Sequence, residues 1–174
     1  LTHPSAQQDV PGIEHNQRLE FLGDAVLQLI VSERIVALFP HEREGALTAR
    51  RATITRGAFL ADLARELGIE LVLRVSASER AASGHLRLAA LEDAIEALVA
   101  AIYLDSDFDT TREAVLHWYG DMNQRLARYV TRINPKGRLQ ELVQPKHGNN
   151  ALSYRVAAEQ GPAHARTFVV EAML

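Results

Sequence analysis

Two acidic pairs set at helical spacing inside apolar segments constrain this chain more than any other feature. Glu20 and Asp24 lie within Leu19-Glu20-Phe21-Leu22-Gly23-Asp24-Ala25-Val26-Leu27, and Asp93 and Glu96 within Leu91-Glu92-Asp93-Ala94-Ile95-Glu96-Ala97-Leu98. Residues three or four apart share one helix face, so these acids sit among Leu, Ile, Val and Ala that belong in a core. An unpartnered carboxylate there is costly. Two like charges roughly 4 Å apart repel by about 4 kcal/mol at an effective dielectric of about 20, so four acids converging on one point require a cation such as Mg2+. One exposed acid pair is ordinarily a solvated face. Two pairs, each embedded in apolar helix, point instead to a metal centre suited to phosphodiester hydrolysis.

The charge balance changes along the 174 residues. Residues 1–132 carry 14 Lys+Arg against 19 Asp+Glu, a net of −5, and residues 133–174 carry 5 against 3, a net of +2. The acidic excess lies with the carboxylate pairs. The length suits one medium domain or a core domain with a small appended module. The absence of cysteine excludes a disulfide framework, a cysteine-ligated zinc site and a thiol nucleophile, and fits a reducing compartment, with the cytoplasm as the default. No apolar run reaches the roughly 20 residues of a membrane helix, and no leader opens the chain. A start without Met and an end inside an alternating segment predict a piece of a longer chain.

Apolar residues from Leu19 to Leu38 recur at helical steps, predicting a helix over about Asn16–Phe39 that Pro40 ends. Gly23 in its middle costs about 1 kcal/mol against Ala, which signals close approach by another backbone or chain. Residues 40–45 read as a loop, Ala46–Ile54 and Ala58–Leu67 as helices, the latter stopped by Gly68. Leu71–Val75 is apolar but of undefined state, and Ser76–His85 reads as a polar loop. Leu86–Leu104 is the second acid-bearing helix. Thr110 and Glu113 match a capping box opening a helix to about Tyr129. After Asn134-Pro135 a short helix, Lys136–Gln144, is expected to break at Pro145, and Ser153–Glu159 and Ala165–Met173 read as strands joined through Gly161-Pro162.

Other catalytic templates are missing: there is no phosphate-binding Gly-rich loop with Lys, no Gly-x-Ser-x-Gly elbow, no His-Glu-x-x-His, and no Glu-x-x-His pair for a di-iron bundle. The seven histidines have no ligand spacing. Instead His15-Asn16-Gln17-Arg18-Leu19-Glu20-Phe21-Leu22-Gly23-Asp24-Ala25-Val26-Leu27 resembles the ribonuclease III signature Asn-Glu-Arg-Leu-Glu-Phe-Leu-Gly-Asp-Ala-Val-Leu, with Gln17 where Glu is usual. Leu1-Thr2-His3-Pro4-Ser5, Glu44-Gly45-Ala46-Leu47 with Arg50 or Arg51, and Asp93-Ala94-Ile95-Glu96-Ala97-Leu98 leading to Ala101-Ile102-Tyr103-Leu104-Asp105 extend the likeness. Lys136-x-x-Leu139-Gln140-Glu141-Leu142 and Gly161-Pro162-x-His164 resemble the start of a double-stranded-RNA-binding domain.

The resemblance implies an all-α catalytic domain over residues 1–130 without its first helix, a linker at 131–135, and an α-β-β portion of the RNA-binding domain over 136–174, truncated at its end. It implies that Glu20, Asp24, Asp93 and Glu96 are catalytic and bind Mg2+, with Mn2+ as a substitute and no small-molecule cofactor. Gln17 replaces an accessory acid, and Glu44 falls where the family has a secondary acid near the RNA. The implied activity is endonucleolytic cleavage of double-stranded RNA to 5′-phosphate and 3′-hydroxyl ends with short 3′ overhangs, in RNA processing such as ribosomal precursor maturation, by a homodimer in which Phe21 and Leu22 pack at the interface. Gln140, Glu141 and Gln144 on one helix face, with His164 in the hairpin loop, would reach two minor grooves, since A-form RNA is read by shape. The rivals are a catalytically silent binder of double-stranded RNA with the same fold and a structural helical protein whose acids are surface charges.

Overall fold

The apolar stripe of the first long helix sets the architecture. In α1 (Gln17–Leu38) the buried residues Gly23, Val26, Leu27, Ile30, Val31 and Ile35 follow steps of three, one and four, the repeat of a single helix face. The helix ends at Phe39, whose N–H bonds the Ile35 carbonyl at 2.9 Å, directly before Pro40. The chain continues through α2 (Glu44–Ile54), α3 (Gly57–Glu66), α4 (Ile69–Val72), α5 (Ala77–Ala81), α6 (Leu88–Asp105), α7 (Phe108–Tyr119) and α8 (Met122–Ile133). This computed structural model describes residues 1–83, 87–133, 135–148, 151–161 and 166–174, with backbone alone at 130–133, 135, 136, 138 and 141. The chain divides into two units, Leu1–Tyr129 and Val130–Leu174.

Helix α6 is the centre of the first unit. Ala90, Leu91, Ala94, Ile95, Glu96, Ala97, Val99 and Ala100 are all buried, so it is enclosed on most sides by α1, α3, α4 and α7. Its alanines let those neighbours approach closely. Around it Leu27, Ile30, Ile35, Phe59, Leu60, Leu63, Leu91 and Ile95 form a continuous core in which each fully buried side chain contributes about 1.5–3 kcal/mol. Tyr119 is also fully buried, but its hydroxyl donates to the Ile54 carbonyl at 2.7 Å, so its polar end is satisfied.

Several sequence expectations are corrected. The helix expected to start near Thr110 begins at Phe108 under an Asp107 cap, whose Oδ1 accepts from Thr110 N–H at 2.7 Å. It does not run to Tyr129, because Gly120, at φ +56° and ψ −132°, turns the chain between α7 and α8. The expected loop at 76–85 contains α5, capped where the Ser76 hydroxyl accepts from Glu79 N–H at 3.2 Å; its end at Gly84 and His85 lies outside the described residues. The apolar stretch 71–75 ends α4 and then bridges to the N-terminus, with His3 N–H donating to the Arg74 carbonyl at 2.8 Å.

The second unit holds α9 (Pro135–His147) and an antiparallel pair, β1 (Ser153–Gln160) and β2 (Thr167–Met173). Helix α9 does not break at Pro145. It continues to His147 and closes where Gly148, at φ +88°, donates to the Gln144 carbonyl at 2.9 Å. In the hairpin Ser153 faces Met173 and Gln160 faces Thr167, with an irregularity between Val156 and Ala158. Arg155 and Glu171, partners in the register, form a 2.6 Å ion pair. Among the described residues no helix is long and apolar enough to cross a membrane.

Candidate metal centre

Helices α1 and α6 lie side by side and run in the same direction, with Glu20 beside Asp93 and Gly23 against Glu96. A β-carbon at position 23 would stand 1.7 Å from the Glu96 carbonyl oxygen, so the missing side chain is what lets the two backbones meet. The close approach inferred from sequence is thus made by the protein's own α6. It places Glu20, Asp93 and Glu96 so that one carboxylate oxygen from each lies within 4.8 Å of the others.

The electrostatics of this cluster are those of a site with excess negative charge. Glu96 is only 8 % exposed, the one acidic or basic side chain among the buried residues described. Burial first, then Asp24, Glu92, Asp93 and Glu20, pushes its pKa up to about 8. Burial, with Asp93 and Glu92, raises Glu20; burial and Glu92 raise Asp93, partly opposed by His3. Among the described residues, none of these acids nor Asp24 forms an ion pair with Lys or Arg. Three convergent oxygen donors with no Lys or Arg partner among the described residues are a donor set that fits a hard divalent ion.

Asp24 stands apart from the three. It lies one turn beyond Glu20, near enough to raise Glu96, but its Oδ1 accepts from Gln28 Nε2 at 2.7 Å. Gln17 is exposed in the first turn of α1. Glu44 is exposed at the start of α2, where it accepts from Thr48 Oγ1 at 2.9 Å and lines a groove of about 240 Å³ with Ser32, Ile35, Val36, Leu47 and Arg51. It is not among the three acids whose carboxylates converge. Phe21 is 84 % exposed, whereas Leu22 packs partly against the core.

In the second unit Gln140 and Gln144 are half-buried on α9. Glu141 is described only in its backbone, and His164 lies outside the described residues. Sequence reasoning passed over Glu92, which adds to the field on all three acids, and His3 and Asn16, which it quoted only as parts of motifs. The available signal for Glu92 was its place beside Asp93 in an otherwise apolar helix.

The ribonuclease-III-like family model matches residues 1–122, which spans this whole α1–α6 arrangement. The chain belongs to the ribonuclease III family. Ribonuclease 3 of Vibrio vulnificus strain YJ016 is 39% identical over 171 residues, covering 98% of this chain and 73% of that protein. Ribonuclease 3 of Pseudomonas putida strain GB-1 is 44% identical over 157 residues, 90% of this chain and 68% of that protein. Among solved structures, the nuclease domain of ribonuclease III from Campylobacter jejuni, in which a region involved in dimer formation is flexible, superposes with a TM-score of 0.63 at 34% identity, covering 68% of this chain and 80% of that one. As a ribonuclease III, the protein is an endoribonuclease of mainly helical fold with a small C-terminal antiparallel sheet.

Proposed function

We propose that this ribonuclease III cleaves double-stranded RNA in a Mg2+-dependent reaction, with Glu20, Asp24, Asp93 and Glu96 as the acids that hold the ion and Mn2+ as a working substitute. The observation that carries this reading is the convergence of Glu20, Asp93 and Glu96 around a point where no Lys or Arg pairs with them among the described residues. When bound, the metal supplies a water of lowered pKa and stabilises the charge that develops on the phosphodiester. The chain's own residues do the rest. Asp93 and Glu96 project from the enclosed α6 and Glu20 from α1, so their carboxylates are held by packed helices rather than by loops. Gln28 keeps Asp24 oriented along α1. The low exposure of Glu96 keeps bulk water from that side of the site.

The products are 5′-phosphate and 3′-hydroxyl ends with short 3′ overhangs, and precursor ribosomal RNA is among the substrates of such a reaction. Two copies act together. Phe21, Ala25, Leu29 and Val36 form an exposed stripe along roughly 22 Å of α1. In a two-fold pair centred near Leu29, Phe21 of one copy comes beside the Val36 end of the other, where the groove lined by Ile35, Val36 and Leu47 opens. The unit Val130–Leu174 is the α-β-β portion of a double-stranded-RNA-binding domain, with Gln140, Glu141, Gln144 and His164 as its RNA contacts. The residues ahead of α9 link it to the catalytic domain.

Incubation of the purified protein with a long RNA duplex in Mg2+, followed by end analysis, tests this. Wild type is expected to produce short duplexes with the stated ends, and Glu96→Gln to bind without cutting. Cleavage by Glu96→Gln at the wild-type rate would remove Glu96 from the site.

A further inference from the structure

Asn16 is 3 % exposed, and among the described residues neither its amide nitrogen nor its amide oxygen meets a hydrogen-bond partner. Its backbone is already used: the N–H donates to the Thr2 carbonyl at 2.9 Å, and the carbonyl accepts from Glu20 N–H at 2.8 Å. Asn at the residue before a helix normally caps it through the side chain. Here it makes no such bond. A buried amide that serves neither capping nor any protein partner is the kind of group an ordered water completes.

Its position gives that water a purpose. Asn16, Glu20, Gly23 and Leu27 follow steps of four, three and four on the face that α1 turns to α6, so the amide lies one turn before Glu20 on the same stripe. The Thr2–His3 segment covers it, and His3 is near enough to Asp93 to act on its charge. Glu20 itself is repelled by Asp93 and Glu92 and has no side-chain bond to the protein among the described residues. Left alone, it would swing away from the acids it must join.

We propose that Asn16 is a positioning residue, whose amide holds an ordered water that donates to the Glu20 carboxylate and keeps it turned toward Asp93 and Glu96. The amide N–H donates to the water oxygen, and the water in turn donates to the carboxylate. The inference rests on the metal-binding reading of the acid cluster, and it assigns Asn16 to metal affinity rather than to helix capping.

Thermal unfolding of the full chain in EDTA and across a Mg2+ titration separates the possibilities. Asn16→Leu, which keeps the same branched heavy-atom skeleton and has no polar atoms to leave unpaired, is expected to unfold in EDTA at or above the wild-type temperature while its Mg2+ midpoint rises about ten-fold, the scale of outer-layer partners at metal sites. Asn16→Ala is expected to shift the midpoint in the same direction. Unchanged midpoints in both variants, with a normal wild-type response, would overturn this role for Asn16 and leave the metal site standing. A wild type that gains no stability from Mg2+ would overturn the metal reading and this inference with it. Should neither variant fold, a high-resolution crystal structure of the wild type decides: a water bonded to both Asn16 and Glu20 supports the inference, and an amide paired only with protein groups overturns it.

Discussion

Gly23 of α1 and Glu96 of α6 meet backbone to backbone, the glycine Cα resting against the carbonyl of the residue whose side chain enters the acid cluster. The same contact that closes the core therefore sets the spacing of the site. Glycine in the middle of a 22-residue helix is unfavourable by about 1 kcal/mol relative to alanine, so Gly23→Ala would stabilise α1 in isolation. In the folded protein the new carbon would lie 1.7 Å from a backbone oxygen that cannot step aside without moving α6. Overpacking of this kind costs about 1–3 kcal/mol or more and outweighs the propensity gain. Gly23→Ala is expected to lower the unfolding temperature and to abolish duplex cleavage, with calorimetry and a cleavage assay as the measurements.

The protonation of Glu96 gives the apo protein a defined pH dependence. Its folded pKa of about 8 lies above the ordinary glutamate value of 4.5, so between those limits the native state binds more protons than the unfolded chain. Stability must then fall as pH rises through that window, by up to about 1.4 kcal/mol per pH unit from this group. The raised pKa values of Glu20 and Asp93 act in the same direction. Urea unfolding in EDTA at pH 5.5 and 8.5 is expected to show wild type losing stability on going to alkaline pH. Glu96→Gln should lose less and be the more stable of the two at pH 8.5. Equal pH slopes for the two proteins would contradict the burial argument.

The parts of this fold legible in the sequence are those fixed by local pattern. The apolar period of α1 and α6, the stop at Pro40 and the two strands after Ser153 are properties of neighbouring residues, and they agree with the structure within a few positions. The pairing of Glu20 with Asp93 and Glu96 was legible as a charge argument, because four acids in apolar helices need a shared partner, and through the ribonuclease III signature, but not through any local pattern. Neither the parallel course of α1 and α6 nor the Gly23 contact has a local signature, since each depends on which helices pack together. The α7–α8 break was missed because Gly120 lies inside an otherwise helical pattern, where only its positive φ shows that it turns the chain. The orphaned amide of Asn16 could not be seen at all before burial was known, since the same residue at an exposed helix start would simply be a cap.

Metal binding is expected to convert the repulsion within the acid cluster into stability. A ligand at 100 times its dissociation constant adds about 2.7 kcal/mol to the folded state, which for a domain of this size corresponds to a rise of roughly 5–10 °C. Because protons and the ion compete for the same oxygens, the rise should be larger at pH 8 than at pH 6. Differential scanning fluorimetry with and without Mg2+ at the two pH values measures it. Glu96→Gln and Asp93→Asn are each expected to remove most of the gain. Asp24→Asn is expected to remove less of the binding energy, since its carboxylate lies outside the group of three and is held by Gln28.

Phe21 separates assembly from folding. It follows Glu20 in sequence but points away from the core, with 84 % of its surface exposed, the largest exposure among the large apolar side chains described. Truncating it therefore removes little from the folded single copy, and Phe21→Asp should leave the secondary structure intact. In the proposed two-fold pair the same residue fills the groove of about 240 Å³ beside Val36 and Leu47, where a carboxylate would be buried without a partner. Sedimentation equilibrium is expected to find wild type as a dimer and Phe21→Asp as a monomer, with double-strand cleavage lost in the variant. A dimeric Phe21→Asp would place the interface elsewhere. As a control, Leu142→Asp, also exposed but in the second unit, is expected to leave the dimer unchanged.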